Sequence, residues 1–348
     1  MDNIKFKLKK VRINISSFLF CTCMLFISCQ HKTSNISLSG ETMGTTYSIK
    51  ISDYNNSSLS IDQIIAKVDS TLESINLQMS TYISSSEISI FNQKNIENIL
   101  PSTEFLTVLE YAHNLSTSTN GLFDITVGPL VQLWGFGKRI DTWAPPKVAQ
   151  INQLLENIGD DMWDVVDGKL LKSNSNIQID VNAIAKGFSV DVIATLIESF
   201  GFINYMVEIG GEVYCAGTNE FGEVWKIGIE LPDFDSRILS KIVNLSQVAM
   251  ATSGDYRNYF FYDGKNYSHI INPKTGKPIK HSLASVTVIS KTCMVADGLA
   301  TALLVMGTED ALDFIERKNE IECFLIEREG NGDFKTFMSS GFGEFLSE

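Results

Sequence analysis

Two short segments of this chain carry side chains whose types and spacing suit metal and phosphate chemistry. In the first, Asp297 and Thr301 lie four residues apart in an apolar run. This spacing places a carboxylate and a hydroxyl on one face of a helix, where they could supply part of the oxygen shell of Mg²⁺. Each residue also has a structural explanation, since an Asp in a first helical turn favours the helix dipole and a helical Thr often bonds a preceding carbonyl.

The second segment, residues 180–187, follows an apolar stretch that predicts a strand over residues 177–181. We expect the chain to turn into a helix here, which would direct backbone N–H groups toward an anion. Lys186 adds a positive charge suited to phosphate, and Gly187 permits the close approach of a backbone or a ligand. The same pattern occurs at ordinary junctions with a surface lysine. Together, the two segments indicate enzymatic chemistry on a nucleotide.

Two further segments contain residues that suit ligand binding or proton transfer. The small and polar residues of 251–257 predict a tight turn that could cradle a ligand, with Arg257 paired with Asp255 or with a phosphate. A plain hairpin turn is the alternative. In residues 269–278, Pro and Gly predict a rigid loop that begins at His269. Histidine is the side chain best suited to proton transfer near neutral pH, although a lone histidine is more often structural.

The N-terminal residues have the pattern of a targeting segment. Basic residues precede an apolar stretch, residues 13–27, which is shorter than the roughly 20 apolar residues of a membrane-spanning helix. The stretch ends in a small residue followed by Cys29, which resembles the lipobox of bacterial lipoproteins. We therefore expect residues 1–28 to be a lipoprotein signal peptide and residues 29–38 to be the lipidated cysteine and a polar tether. A plain signal peptide or an uncleaved anchor helix are the alternatives.

Charge and cysteine content exclude several classes of partner and scaffold. The chain has 28 Lys and Arg against 41 Asp and Glu, a net charge of −13, and loss of the basic residues 1–28 would make it more acidic. Such a chain is unsuited to nucleic acid, which requires clustered basic side chains. Outside the first 29 residues only Cys215, Cys293 and Cys323 remain. This odd, widely spaced set predicts buried thiols or at most one disulfide, and no zinc ribbon.

The apolar patterns favour an α+β fold, because strands and helices group in different parts of the chain. No Pro- or Gly-rich linker is evident, which favours one large domain or two interleaved halves. The predicted helices are 61–78, 103–118, 147–157, a segment from the 180–187 turn to Phe200, 296–306 and 309–317. The predicted strands are 46–51, 177–181, 205–209, 213–216, 225–230, 246–252, 258–262 and 285–288, before a hairpin-like tail.

A series of sequence blocks, in order, resembles the ApbE family of bacterial lipoproteins, the FAD:protein FMN transferases. The blocks are residues 40–47 (GETMGTTY), 79–92, 121–130 (GLFDITVGPL), 133–137 (LWGFG), 180–191, 210–212 (GGE), 252–257, 269–278 and 297–301. The resemblance implies a single α+β domain related to the T-fold over residues 39–346, with an antiparallel sheet core and flanking helices.

The resemblance also implies roles for particular residues. Asp297, Thr301 and the backbone carbonyl of Ala183 would hold Mg²⁺, or Mn²⁺ in its place, and His269 is the candidate catalytic base. The residues implied in FAD binding are Met43, Tyr82, Phe123, Asp124, Ile125, Asp180, Lys186 and Ile270.

The implied reaction is the Mg²⁺-dependent transfer of FMN from FAD to a threonine of a target redox protein, through a phosphoester bond, with release of AMP. Implied acceptors are flavin-domain proteins or membrane redox subunits that carry a Ser/Thr acceptor motif. The lipid on Cys29 would hold the enzyme on a bacterial cell membrane facing the periplasm, with the inner membrane favoured. Two alternatives are an FAD pyrophosphatase that uses water as the nucleophile and a periplasmic FAD-binding lipoprotein without turnover.

Overall fold

The computed structural model describes residues 35–54, 59–137, 143–233, 238–256, 258–330 and 332–347. The predicted signal peptide, Cys29 and Arg257 lie outside these ranges. The first strand begins at Ile36, inside the predicted tether, because Leu38 is buried and pairs with Ile49 of the next strand. Within the described ranges, no helix has the length and apolar character needed to cross a membrane.

An eight-stranded antiparallel sheet forms the centre of the fold. The strands of this sheet and of the smaller sheets are β1 (Ile36–Thr42), β2 (Thr45–Ile51), β3 (Asn98–Ile99), β4 (Trp163–Val166), β5 (Lys169–Lys172), β6 (Tyr205–Ile209), β7 (Glu212–Ala216), β8 (Trp225–Glu230), β9 (Leu239–Leu245), β10 (Val248–Gly254), β11 (Tyr259–Tyr262), β12 (Lys265–Ser268), β13 (Ile271–Asn272), β14 (Lys277–Pro278), β15 (Leu283–Ser290), β16 (Glu322–Arg328) and β17 (Phe334–Met338). The central sheet has the order β1-β2-β6-β7-β10-β15-β16-β17.

The described residues contain eight α-helices, of which the first and the last three contact one face of the central sheet. They are α1 (Ile61–Met79), α2 (Glu87–Phe91), α3 (Thr103–Ser118), α4 (Gly128–Leu133), α5 (Val148–Leu155), α6 (Ala185–Ser199), α7 (Cys293–Met306) and α8 (Thr308–Ile315). Their separation from the antiparallel strands confirms the predicted α+β fold. Ser60 is the N-cap of helix α1 and forms a capping box with Gln63.

The two faces of the central sheet bury different sets of side chains. Along β10, Ala249 and Ala251 pack toward the helices, whereas Met250 packs on the opposite face with Trp225 of the β8–β9 hairpin. This alternation is the two-residue period of a strand. The small Ala side chains permit α7 to lie close to β10, and this proximity places helix residues beside the end of the strand.

The predicted strand at residues 177–181 is wrong, although its alternate apolar residues are buried. The Ile179 N–H donates to Asn92 Oδ1 at 2.8 Å, and Asn92 Nδ2 donates to the Ile179 carbonyl at 2.9 Å. A side-chain amide therefore takes the place of a neighbouring strand. The next residue, Asp180, donates its N–H to the carbonyl of Ile125 at 2.7 Å, so the segment is fixed in an extended form without a strand partner.

Two predicted boundaries also move. Residues 252–254 continue β10 and pair with β15 instead of forming a turn, and Asp255 forms a bidentate ion pair with Arg328, with both N–O distances at 2.7 Å. Helix α7 begins at Cys293, so Asp297 lies in its second turn. The prediction of buried thiols is confirmed, because Cys215, Cys293 and Cys323 are buried and free.

The start of α7 is capped by a carboxylate from α6. Asp191 accepts hydrogen bonds from the N–H groups of Cys293 at 2.7 Å and Met294 at 2.9 Å. Burial raises the pKa of Asp191 to about 6, although these two N–H groups favour its charged form. The contact joins the two helices that carry the candidate site.

We expect Asp191→Ala to destabilise the protein by about 1–3 kcal/mol, because two N–H groups at the start of α7 lose their acceptor. Urea unfolding followed by circular dichroism measures this change. Asp62→Ala is the matched control, since Asp62 lies exposed in the first turn of α1. Equal unfolding midpoints for the two variants would contradict the capping role.

Candidate active site

A cavity of about 430 Å³ lies where α6 and α7 meet the end of β10. Lys186, Asp297, Thr301 and His269 all line it. A second cavity of about 970 Å³ lies between the β1–β2 hairpin and α1 and shares Lys186 with the first. The two cavities therefore adjoin at the start of α6.

Three charged residues, Lys186, Glu212 and Asp297, lie together at this junction and are here called the ionic cluster; the two carboxylates are buried and the Lys186 side chain is 29% exposed. Lys186 Nζ lies 2.8 Å from Glu212 Oε1 and 3.8 Å from Asp297 Oδ1. Both carboxylate residues are 3% exposed. One ammonium therefore lies between two carboxylates and is closer to Glu212.

The position of Asp297 depends on a close approach of α6 and α7 at Gly187. A Cβ atom on Gly187 would lie 2.4 Å from the carbonyl oxygen of Cys293 and 2.7 Å from Asp297 Cβ, both too close for any other residue. The same approach lets the Gly187 N–H donate to Asp297 Oδ2 at 2.9 Å. This confirms the prediction that Gly187 permits the close approach of a backbone, which is that of helix α7.

The oxygen atoms at this junction fit a hard divalent cation. Asp297 and Thr301 share a face of α7, and Thr301 Oγ1 lies 3.0 Å from Ser253 Oγ of β10. Gly187 is the third residue of α6, so its N–H precedes the first intrahelical hydrogen bond and donates to Asp297 instead. Ala183 lies just before the helix and lines the cavity, and no hydrogen bond to its carbonyl is found among the described residues, so this oxygen is available as a ligand. Carboxylate, hydroxyl and carbonyl oxygens are the donors that Mg²⁺ prefers, and the ion commonly completes its shell with water or phosphate.

The surroundings of the ionic cluster favour the charged form of Lys186 and oppose the ionisation of Asp297. Burial lowers the pKa of Lys186, but the adjacent Asp297 and Glu212 carboxylates outweigh it and the net shift is upward. Burial raises the pKa of Asp297 above the usual range; Lys186 opposes the rise and Glu212 adds to it. A bound cation would reverse this balance by favouring the Asp297 carboxylate.

His269 lies on the cavity wall at the base of the β11–β12 hairpin. Its Nδ1 is 3.0 Å from the carbonyl oxygen of Asn258. A carbonyl only accepts hydrogen bonds, so Nδ1 carries the proton and, in the neutral ring, Nε2 carries the lone pair. Burial lowers the pKa of His269, and this effect exceeds the opposing hydrogen bond to Asn258. The neutral form, which can accept a proton at Nε2, is therefore favoured.

Two further carboxylates, Asp180 and Asp124, line the same cavity as the ionic cluster. Asp180 Oδ1 accepts the N–H of Asn182 at 2.8 Å. Asp124 Oδ1 accepts both the N–H and the hydroxyl of Thr126, at 2.8 and 2.6 Å. Burial raises the pKa of both carboxyl groups. Each is held in a fixed orientation by its own loop, as required of a group that orients a ligand.

The ApbE family model matches residues 43–325. This chain belongs to the ApbE family. It is 43% identical over 326 residues to the FAD:protein FMN transferase of Vibrio cholerae, covering 93% of this chain and 97% of that protein. It is 42% identical over 322 residues to the FAD:protein FMN transferase of Haemophilus influenzae, covering 90% and 92%. The solved structure of the flavin transferase ApbE from Vibrio cholerae matches with a TM-score of 0.83 and 42% identity, covering 90% of this chain and all of that one.

Family membership confirms the resemblance inferred from the sequence blocks, and the structure brings most of the predicted residues to one place. Those that line the 430 Å³ cavity are Tyr82, Phe123, Asp124, Asp180, Ala183, Lys186, His269, Ile270, Asp297 and Thr301. Met43 borders the larger cavity, which also contains Tyr82. Ile125 is 3% exposed and lies behind the wall, where its carbonyl accepts the Asp180 N–H.

Met43 and Tyr82, two of the residues implied in FAD binding, border the cavities with part of each side chain exposed. Met43 occupies the tight turn between β1 and β2 with φ of 51°, a left-handed conformation that is uncommon for this residue type. Tyr82 is 73% exposed and borders both cavities. Ile270 differs, because its N–H donates to Ser268 Oγ and its carbonyl accepts from Ile279. Its backbone groups therefore already have partners within the chain.

Glu212 was missed as a site residue by the sequence reasoning. It ends the GGE block of the ApbE resemblance, directly after a two-glycine turn between β6 and β7. The available signal was an acidic residue beside glycines with positive φ, since Gly210 and Gly211 have φ of 66° and 108°. Nothing in the sequence indicated that this turn lies beside α6.

We expect Gly187→Ala to disrupt the junction, because the added methyl must displace the Cys293 carbonyl and Asp297. Overpacking of this kind costs about 1–3 kcal/mol, and displacement of Asp297 should also weaken binding of Mn²⁺. Thermal unfolding and Mn²⁺ titration measure the two effects. Gly343→Ala is the control, because nothing lies within 4 Å of a Cβ there. A Gly187→Ala protein that matched this control in both measurements would contradict the packing argument.

Proposed function

We propose that this chain is an FAD:protein FMN transferase that cleaves FAD in a Mg²⁺-dependent reaction and attaches FMN to a threonine of a target redox protein. The observation that carries the proposal is the convergence of Asp297, Thr301, Lys186 and His269 on one cavity in a member of the ApbE family. Relatives at 43% and 42% identity are named FAD:protein FMN transferases. A phosphoryl transfer needs the charge neutralisation and proton acceptor that these residues provide.

Asp297, Thr301 and the Ala183 carbonyl would hold the Mg²⁺ ion. When bound there, the ion would neutralise charge on the phosphate oxygens as the bond to the AMP leaving group breaks. Lys186 adds a positive charge on the same wall, although its pairing with Glu212 at 2.8 Å limits its net contribution. These side chains thus orient the pyrophosphate of FAD toward the acceptor.

His269 is proposed as the base. Its Nε2 would accept the proton of the acceptor threonine hydroxyl as the oxygen attacks the FMN-side phosphorus and AMP departs with the electron pair of the broken bond. The Nδ1 contact with Asn258 fixes the ring and its tautomer. Met43, Tyr82 and Phe123 would contact the isoalloxazine ring, because a thioether and aromatic rings suit a flat apolar group.

The direct test is mass spectrometry of a flavin-domain acceptor incubated with the purified chain, FAD and Mg²⁺. We expect a mass increase of one FMN phosphoester on an acceptor threonine, release of AMP, and loss of both with EDTA. Free FMN and AMP without an adduct would instead indicate a pyrophosphatase. Intact FAD in every reaction would leave only the flavin-binding alternative.

We expect His269→Ala to lower the transfer rate by about 10²- to 10⁴-fold, the usual contribution of a general base. Because burial lowers the pKa of His269, the unaltered enzyme should lose activity only below about pH 6.5, as the ring becomes protonated. This acid limb should be absent from the residual rate of the variant. His281→Ala is the control, since His281 is exposed and lies outside the cavity. A normal rate in His269→Ala would rule out its role as the base.

We further propose that the chain is a lipoprotein anchored through Cys29 to a bacterial membrane, facing the periplasm. The lipobox-like residues before Cys29 support this proposal. We expect Cys29→Ser to move the protein from the membrane to the soluble fraction without loss of transfer activity. Cys23→Ser should remain in the membrane fraction, since Cys23 lies within the predicted signal peptide. Continued sedimentation of Cys29→Ser with membranes would exclude this anchor.

A further inference from the structure

The ionic cluster contains one ammonium and two carboxylates, and the ammonium is not shared equally. Lys186 Nζ is 1.0 Å closer to Glu212 Oε1 than to Asp297 Oδ1, from the distances of 2.8 and 3.8 Å. The contact between Lys186 and Glu212 is short enough for a charge-assisted hydrogen bond, whereas the contact between Lys186 and Asp297 is a longer-range ionic contact. Asp297 is instead held by the Gly187 N–H at 2.9 Å.

Glu212 has no function in the mechanism described above, yet it is one of the most deeply buried charged residues of the cavity wall. Its side chain is 4% exposed, and its Oε2 atom has no hydrogen-bond partner among the described residues. Burial of a carboxylate with an unpaired oxygen is unfavourable. The contact that compensates for it is the one with Lys186.

The backbone around Glu212 is shaped to accept Lys186. Glu212 is the first residue of β7, and the preceding turn includes Gly210 with φ of 66°. A Cβ atom on Gly210 would lie 3.2 Å from Lys186 Cδ and 2.9 Å from Thr45 Cγ2. Because Gly210 has no side chain, the Lys186 side chain has space to pass it and reach Glu212.

These contacts have a consequence for the divalent cation of the proposed function, on which this inference rests. If Glu212 did not carry a negative charge, Asp297 would be the remaining carboxylate within reach of Lys186. A direct Lys186–Asp297 pair would occupy the oxygens that a cation needs. We propose that Glu212 is a positioning residue for the metal site: by holding Lys186, it keeps the Asp297 carboxylate available to the divalent cation.

A double-mutant cycle on Mn²⁺ affinity tests this proposal without FAD or an acceptor. The purified full chain, Glu212→Gln, Lys186→Met and the double variant are each titrated with Mn²⁺, and free Mn²⁺ is measured by its electron paramagnetic resonance signal. We expect Glu212→Gln to weaken Mn²⁺ binding about tenfold or more when Lys186 is present. In the Lys186→Met background, the same change should alter affinity by about twofold or less, because no ammonium remains to occupy Asp297.

The cycle separates positioning from a simple through-space charge effect. Loss of a nearby negative charge alone would weaken Mn²⁺ binding equally in both backgrounds, and that result would overturn the proposal, as would no weakening in either. If circular dichroism shows that Glu212→Gln does not fold, the Lys186→Met variant alone tests the proposal. We then expect Lys186→Met to bind Mn²⁺ at least as tightly as the unaltered chain, and weaker binding would contradict the proposal.

Glu208→Gln is the matched control for the cycle. Glu208 lies on the same β6–β7 hairpin and accepts the Gly211 N–H at 2.7 Å, but it does not line the cavity. Its Mn²⁺ affinity should equal that of the unaltered chain. Absence of Mn²⁺ binding by the unaltered chain would refute the metal of the proposed function itself, and this inference with it. If the unaltered chain binds Mn²⁺ and Glu212→Gln binds it with the same affinity, the positioning role of Glu212 is refuted and the proposed function is not.

Discussion

The close contact between α6 and α7 at Gly187 is the constraint on which the candidate site depends. Each helix satisfies N–H groups near the start of the other: Asp297 of α7 accepts from Gly187, and Asp191 of α6 accepts from Cys293 and Met294. The first N–H groups of a helix lack internal partners, so this reciprocal arrangement fixes both helix starts at once. Ala183 lies just before the start of α6 and lines the same cavity as Asp297 and Thr301, so residues with carbonyl, carboxylate and hydroxyl oxygens border one space.

This arrangement brings several charges out of water, and such burial is unfavourable unless each charge has a partner. The ionic cluster resolves the problem only in part, because two carboxylates face one ammonium. With both carboxyl groups ionised, the cluster carries one excess negative charge in the cavity that Thr301 and Ala183 also line. The cation of the proposed function would compensate for this charge and favour the ionised form of Asp297, whose pKa burial raises.

The features that the sequence predicted well are those decided within a few residues. The helix predicted over 61–78 begins at the predicted residue, where Ser60 and Gln63 form a capping box, and the helix predicted to reach Phe200 ends at Ser199, just before Gly201 with φ of 88°. The failure at residues 177–181 has the opposite cause. Apolar alternation there indicates burial, but the hydrogen-bond partner is the side chain of Asn92, 87 residues away along the chain. A pattern of alternate burial does not reveal whether a strand or a side chain pairs with the backbone.

The candidate site also combines features decided within a few residues with contacts between residues far apart in the chain. The i, i+4 spacing of Asp297 and Thr301 was visible because both lie on one helix, whereas the partner of Lys186 depends on sheet order. Strand β6 pairs with β2 and β7, so the turn between β6 and β7 lies beside the β1–β2 hairpin and the start of α6. Only this order brings Glu212 to Lys186. Family blocks identified the separate segments, but which charge pairs with which follows from the three-dimensional packing, and the proposed cation site depends on that pairing.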